Sequence, residues 1–157
     1  MPMPLDAPNW RKMNQEELDR GLDNGLAVGS GSDIVAGWEQ RSADLRKRHA
    51  DHLYLRYGPR ERNRIDFLKA RAEQAPTLLF IHGGYWQNRA KEVFTLFAEG
   101  PLAHGINVAL IGYTLAPDAT LDEIVAEIHA GIDFLGQKLP ALGGDGKGIV
   151  VSGWSAG

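Results

Sequence analysis

The sequence predicts an α/β fold, in which an antiparallel hairpin leads into a parallel sheet with helices on both faces, preceded by short N-terminal helices. Three observations carry this. The runs "TLLFIHGG", "INVALIGY" and "GIVVSG" are continuously apolar over strand length, as strands buried on both faces are. Segments with a helical repeat separate them, and that alternation builds a parallel sheet covered on both sides. Two glycine-rich motifs, "HGGYW" and "GWSAG", each follow one of these runs. They fall at the carboxyl ends of strands, where ligand chemistry gathers in open sheets.

Each element follows from local chemistry. Residues 1–9 hold three prolines and read as a loose arm. Asn14 with Glu17 forms a capping-box-like start for a short helix that Gly21 or Gly25 ends. "AVGSGSD" reads as a loop with Ser32 capping the next helix, which sets Ile34, Val35, Trp38 and Leu45 near one face. Trp10 and Trp38 are expected in the core or at helix-docking positions. "HLYLRYG" and "RIDFLKA" alternate around the turn "GPRERN" and predict the hairpin. Residues 91–104 suit a helix with Val93, Phe94, Phe97 and Leu102 inward, kinked or shortened at Gly100-Pro101. Thr120 and Glu123 make a capping box for a helix whose apolar positions 121, 124, 125, 128, 132, 135 and 139 keep the 3.6-residue period. "GGDGKG" reads as a turn, and Ile149, Val150 and Val151 as a buried strand.

At 157 residues the chain can form one domain with a core; folded chains of that size bury roughly 70% of their unfolded surface. Residues 1–51 read as the arm and helices, and 52–157 as the α/β domain. The net charge of -3 gives no general pull toward nucleic acid or an acidic membrane. Ten of the 17 Lys and Arg lie in residues 41–71, and they are expected on a solvated helix face and a hairpin tip. No cysteine is present, which excludes disulfides and thiol chemistry. No apolar run reaches the roughly 18 residues of a membrane span, and the start does not resemble a signal peptide. A cytoplasmic enzyme or domain is expected, with no cofactor, no metal, no membrane and no nucleic-acid partner.

The two motifs complement each other chemically. A serine hydroxyl is a weak nucleophile at neutral pH; it needs exposure, a base, and donors for the oxyanion that forms on attack. In "GWSAG", Gly153 and Gly157 permit a strand to reverse directly into a helix with Ser155 at the tip. The Ala156 amide then points toward the oxygen of a reacting carbonyl. In "HGGYW", Gly83 and Gly84 let a substrate approach their amides, while His82 braces the loop. Tyr85 and Trp86 either form an aromatic wall for a planar substrate or pack the loop against the body. A nucleotide-binding reading fails, because "GGDGKG" lacks the spacing of a phosphate loop and Gly29 and Gly31 follow no strand.

"FIHGGYW", "YTLAPDATLDEIVAEI" and "VVSGWSAG", in that order, resemble the α/β-hydrolase superfamily, and most closely its arylformamidase-like (kynurenine formamidase-like) and carboxylesterase branch with a His-Gly-Gly-x-Trp motif. The resemblance implies that residues 52–157 form the N-terminal portion of one α/β-hydrolase domain. It implies Ser155 as nucleophile of a Ser–Asp/Glu–His triad, an oxyanion hole from Gly83, Gly84 and Ala156, and hydrolysis of small aryl amides or esters such as N-formylkynurenine. Trp154 stands where these enzymes commonly carry His, which bears on pocket shape. The family's triad acid and base follow the nucleophile, so this chain is expected to be C-terminally truncated, inactive by itself, and open to self-association along its last strand. His49, His52, His104 and His129 have no spacing that suggests a base, and Asp118 belongs to the turn before a helix. The alternative is a non-catalytic hydrolase-like module that binds a partner or a small acyl ligand.

Overall fold

The computed structural model describes residues 9–28 and 31–157, and they fall into two compact units that divide after Gly37. Within the first unit, Asn14 caps α1 (Gln15–Leu22) with the reciprocal box to Glu17 that the sequence predicts. A short α2 (Asn24–Val28), which the sequence reading missed, follows it. The next helix, α3 (Gly31–Arg48), continues into the second unit. Ser32 lies within that helix rather than capping it, and Gly29 and Ser30 of the expected loop fall outside the described residues. Trp10 is 63% exposed, with the Arg11 guanidinium over its ring, so it is not a core residue.

The second unit holds one five-stranded sheet in the order β1-β2-β4-β3-β5. Its strands are β1 (Leu55–Arg56), β2 (Arg64–Leu68), β3 (Ala75–Ile81), β4 (Asn107–Ile111) and β5 (Gly144–Gly153). Strands β1, β2 and β4 pair antiparallel, whereas β4, β3 and β5 run parallel. This is the hairpin leading into a parallel sheet that the sequence predicts.

Neighbouring residues on a strand face opposite sides, and that splits the core in two. Phe67, Leu79, Ala109 and Ile111 pack on one face beneath Leu135, Leu139 and Leu142 of α5 (Leu121–Leu142). Leu68, Phe80, Val108 and Leu110 pack on the other face with Leu45 of α3 and with Phe94 and Ala98. The Thr120–Glu123 box opens α5, and Gly143 ends it in the left-handed region. Leu121 and Val125 of its predicted apolar stripe are exposed.

Three local predictions are corrected. Strand β1 is two residues long, because Tyr54 takes a left-handed backbone (φ 60°) and gives its amide to the Asp66 carboxylate rather than to a ladder. Residues Lys91–Ala98 form a 3-10 helix, continued by a short α4 (Glu99–Ala103), rather than one α-helix. "GGDGKG" is not a separate turn: β5 starts at Gly144 opposite Ala75, and regular pairing resumes only at Ile149. Val150 and Val151 are exposed, because β5 is the sheet edge of the described residues and only β3 pairs with it.

Candidate active site

Strands β3 and β5 are adjacent and parallel, with Ile81 paired to Gly153. "HGGYW" and "GWSAG" therefore leave the sheet side by side, and the Trp154 amide still donates to the Ile81 carbonyl (3.2 Å). The glycines have steric reasons. A Cβ on Gly83 would lie 2.5 Å from the Trp154 carbonyl oxygen and 3.0 Å from Ser155 Cβ. One on Gly153 would strike the Gly157 backbone at 2.5 Å, and one on Gly157 would collide with the Ile81 carbonyl. The turn is closed by the Gly157 amide donating to Trp154 (3.0 Å). A side chain at Gly83 or Gly157 would push the two segments apart, and one at Gly153 would open the turn.

Ser155 is exposed at the tip of that turn with φ 56°. A non-glycine residue in the left-handed region is strained by about 1–2 kcal/mol, and such strain persists only where its surroundings enforce it. Around it, the backbone amides of Gly83, Gly84 and Ala156 donate to no other described residue. One exposed hydroxyl and three N–H groups without a partner among the described residues thus lie at the carboxyl ends of two neighbouring parallel strands.

His82 is fully buried between aromatic rings. It stacks on Tyr113 (centroids 4.3 Å apart, 10° between planes) and on Phe94 (6.0 Å, 13°). Its Nδ1–H donates to the Gly83 carbonyl at 2.8 Å, and Nε2 has no partner. Desolvation drives its pKa down to about 4; the Gly83 hydrogen bond opposes this and the Arg62 charge adds to it. Relative to the ordinary value of 6.5, the folded chain binds fewer protons than the unfolded chain between pH 6.5 and 4. Stability therefore falls as pH drops through that window, by up to about 3 kcal/mol at its lower end. Urea midpoints measured from pH 7 to pH 4 should show this slope, and His82→Gln should flatten it; equal slopes in the two proteins would refute the assignment.

The aromatic candidates separate. Tyr85 is 74% exposed, whereas Trp86 is half-buried against Tyr113, Ala119 and Ile124. Trp154 turns toward the body, edge-on to Trp38 at 5.9 Å and tilted against Phe94 at 5.4 Å, and remains 44% exposed. The other histidines lie elsewhere. His104 ends α4 with Nδ1 on the Gly100 carbonyl, His129 is exposed on α5, and His52 packs edge-on against Phe67. Asp118 is exposed in the turn before α5, as the sequence reading places it. Among the described residues no cluster of three or more His, Asp or Glu could hold a metal ion, and no helix is long and apolar enough to cross a membrane.

Sequence reasoning missed the supports behind these motifs. The basic stretch is not wholly a solvated face: Arg46 is buried against Asp66, which also pairs with the buried Lys91. Arg62 reaches the Tyr113 and Arg89 carbonyls, and the Tyr113 hydroxyl donates to the His82 carbonyl (2.7 Å). The alternation in "RNRID" carries no signal for these partners, which come from segments far along the chain.

Comparison with known proteins adds to this geometry. The BD-FAE family matches residues 65–157. Kynurenine formamidase of Salmo salar is 27% identical over 94% of this chain and 52% of its own length. Isoprenylcysteine alpha-carbonyl methylesterase of Arabidopsis thaliana is 32% identical over 64% of this chain and 24% of its own. Among solved structures, a candidate thioesterase from Silicibacter sp. tm1040 superposes with a TM-score of 0.80 at 29% identity, covering 90% of this chain and 52% of that one. Esterase B of Lactobacillus rhamnosis gives 0.62 at 25% identity, covering 80% and 44%. The chain thus spans about half the length of the salmon and Silicibacter proteins.

Proposed function

Since the chain belongs to the BD-FAE family, with the α/β-hydrolase fold of its esterase neighbours, we propose that it supplies the nucleophile and oxyanion hole of a serine hydrolase acting on small carboxylic esters or aryl formamides. The observation that carries this is the strained, exposed Ser155 set beside the unused amides of Gly83, Gly84 and Ala156. In this reading Ser155 Oγ attacks the substrate carbonyl carbon while its proton passes to a general base. The three amides stabilise the oxyanion; the carbonyl then re-forms, the alcohol or amine leaves with a proton, and water cleaves the acyl-enzyme. The chemistry named for the salmon and Arabidopsis relatives, formamide and methyl-ester hydrolysis, favours an N-formylkynurenine-like or small ester substrate. Tyr85, Trp86 and Trp154 are the proposed pocket aromatics.

Among the described residues no histidine hydrogen-bonds to Ser155; His82 spends Nδ1 on Gly83 and leaves Nε2 unpaired. We therefore place the general base at none of the histidines among the described residues. The isolated chain should hydrolyse p-nitrophenyl acetate at close to the buffer rate, and a robust rate abolished by Ser155→Ala would overturn that placement. The same missing hydrogen bond is what favours the second reading, a non-catalytic hydrolase-like binding module. Turnover of N-formylkynurenine or p-nitrophenyl acetate that depends on Ser155, in a form of the protein that includes a base, decides between the two.

A further inference from the structure

The loop that follows Gly83 is strained in three places beyond its glycines. Tyr85, Trp86 and Arg89 have φ values of 58°, 59° and 72°, all in the left-handed region that side chains disfavour. Within the loop, the Gln87 and Asn88 amides, both on the Gly84 carbonyl at 3.1 and 3.0 Å, make the backbone hydrogen bonds among the described residues that hold its shape. Among the described residues, two hydrogen bonds tie it to the rest of the protein. The Ala116 amide donates to the Trp86 carbonyl (2.8 Å), and Arg62 Nη2 donates to the Arg89 carbonyl (2.6 Å). Only the second comes from a side chain.

Arg62 does more than close the loop. Its Nε donates to the Tyr113 carbonyl at 2.8 Å, just past the end of β4, and the Tyr113 hydroxyl donates to the carbonyl of His82. That peptide unit carries the Gly83 amide. One planar guanidinium, with donors at fixed separation, therefore fixes both ends of the segment: Arg89 directly, and the His82–Gly83 peptide through Tyr113. Arg62 lies outside the residues that the family match covers.

The geometry points to Arg62 as a positioning residue of the oxyanion loop, holding the Gly83 and Gly84 amides in place before reaction. It touches no reacting atom; it acts through Arg89 and Tyr113. The catalytic part of this inference rests on the serine-hydrolase reading, and the geometric part does not.

The test therefore has two arms. In the 157-residue chain, amide hydrogen exchange is followed at Gln87 and Asn88 and, for reference, through β3 and β4, in wild type, Arg62→Ala, Arg62→Lys and the exposed control Arg71→Ala. Arg62→Ala should speed exchange at Gln87 and Asn88 about tenfold or more without affecting the strands. Arg62→Lys, whose single ammonium cannot span two carbonyls, should fall between, and Arg71→Ala should match wild type. Unchanged loop exchange, or an equal increase throughout β3 and β4, overturns the proposal. In a catalytically competent form, Arg62→Ala should lower kcat about 10²-fold, the cost of a misplacement near 1 Å, with KM little changed; a rise in KM at constant kcat overturns the catalytic part. Turnover that survives Ser155→Ala would instead defeat the serine-hydrolase reading, and the exchange arm would still decide whether Arg62 holds the loop.

Discussion

Ser155→Ala is expected to reduce kcat by about a millionfold in any competent form of this protein, the scale seen when a serine nucleophile is removed from a comparable triad. KM should change little, because the proposed oxyanion donors are backbone amides and remain. The strained backbone supplies a second, independent readout. Alanine keeps a Cβ at φ 56° and so keeps the strain. Glycine removes it, so Ser155→Gly should be equally inactive yet more stable by up to about 1 kcal/mol, net of the greater freedom glycine has in the unfolded chain. Hydrolysis of N-formylkynurenine or p-nitrophenyl acetate tests the first statement, and thermal unfolding of both variants tests the second. Full activity in Ser155→Ala would remove Ser155 from the mechanism. A destabilised Ser155→Gly would show that the serine side chain itself holds the turn.

The parts of the site legible in the sequence are those that a few adjacent residues determine. A strand that reverses at once into a tight turn needs glycine wherever backbones meet, and Gly83, Gly153 and Gly157 each face another backbone at a distance that excludes a Cβ. The two motifs could therefore be read from spacing, and their place at the same end of the sheet from the alternation of strands and helices; that β3 and β5 are neighbours could not, because β4 falls between them in sequence. What escaped depends on which distant segments meet. Arg62, Tyr113 and His82 converge only because β4 lies beside β3 and the hairpin tip folds back on both. The shortening of β1 has the same origin: Tyr54 looks like a strand residue until its amide finds Asp66, twelve positions on. The exposure of Val150 and Val151 reflects β5's place at the sheet edge of the described residues, which an apolar run cannot reveal.

The aromatic rings under the site join its two halves. Trp154, next to the proposed nucleophile, rests on Phe94; Phe94 stacks on His82, and His82 on Tyr113. The turn and the proposed oxyanion loop thus share one apolar support on the residue 91–98 helix. Oxyanion stabilisation depends on donors that need no rearrangement during reaction, and in the proposed function a shared support would keep the amides of Gly83 and Ala156 in register. Trp154, beside the proposed nucleophile, thus contributes a packing contact to this support.

Asp66→Ala is expected to be the most damaging substitution for stability. Asp66 is fully buried and meets Arg46 and Lys91, both nearly buried, while its other oxygen accepts the Tyr54 amide at 2.7 Å. Removing the carboxylate leaves two cations in the interior and strands a backbone donor. Lys91 keeps Glu92, and both cations keep the face of the Tyr54 ring, but Arg46 already has one nitrogen without a partner. Breaking a buried ion pair from one side costs about 3–5 kcal/mol, a large share of the roughly 5–15 kcal/mol that holds a domain together. Urea unfolding should show a loss of that size. Asp66→Asn, which keeps an acceptor for Tyr54, should lose somewhat less. The informative partner is the triple variant Asp66→Leu, Arg46→Met, Lys91→Met. Apolar replacement of a whole buried ionic group is often neutral or stabilising, so it should regain much of the lost stability. A loss below about 1 kcal/mol in Asp66→Ala would mean that water reaches the two cations and that the cluster is less enclosed than its burial indicates. Because Lys91 begins the helix beneath His82, a large loss there would also bind the hairpin's electrostatics to the floor of the site.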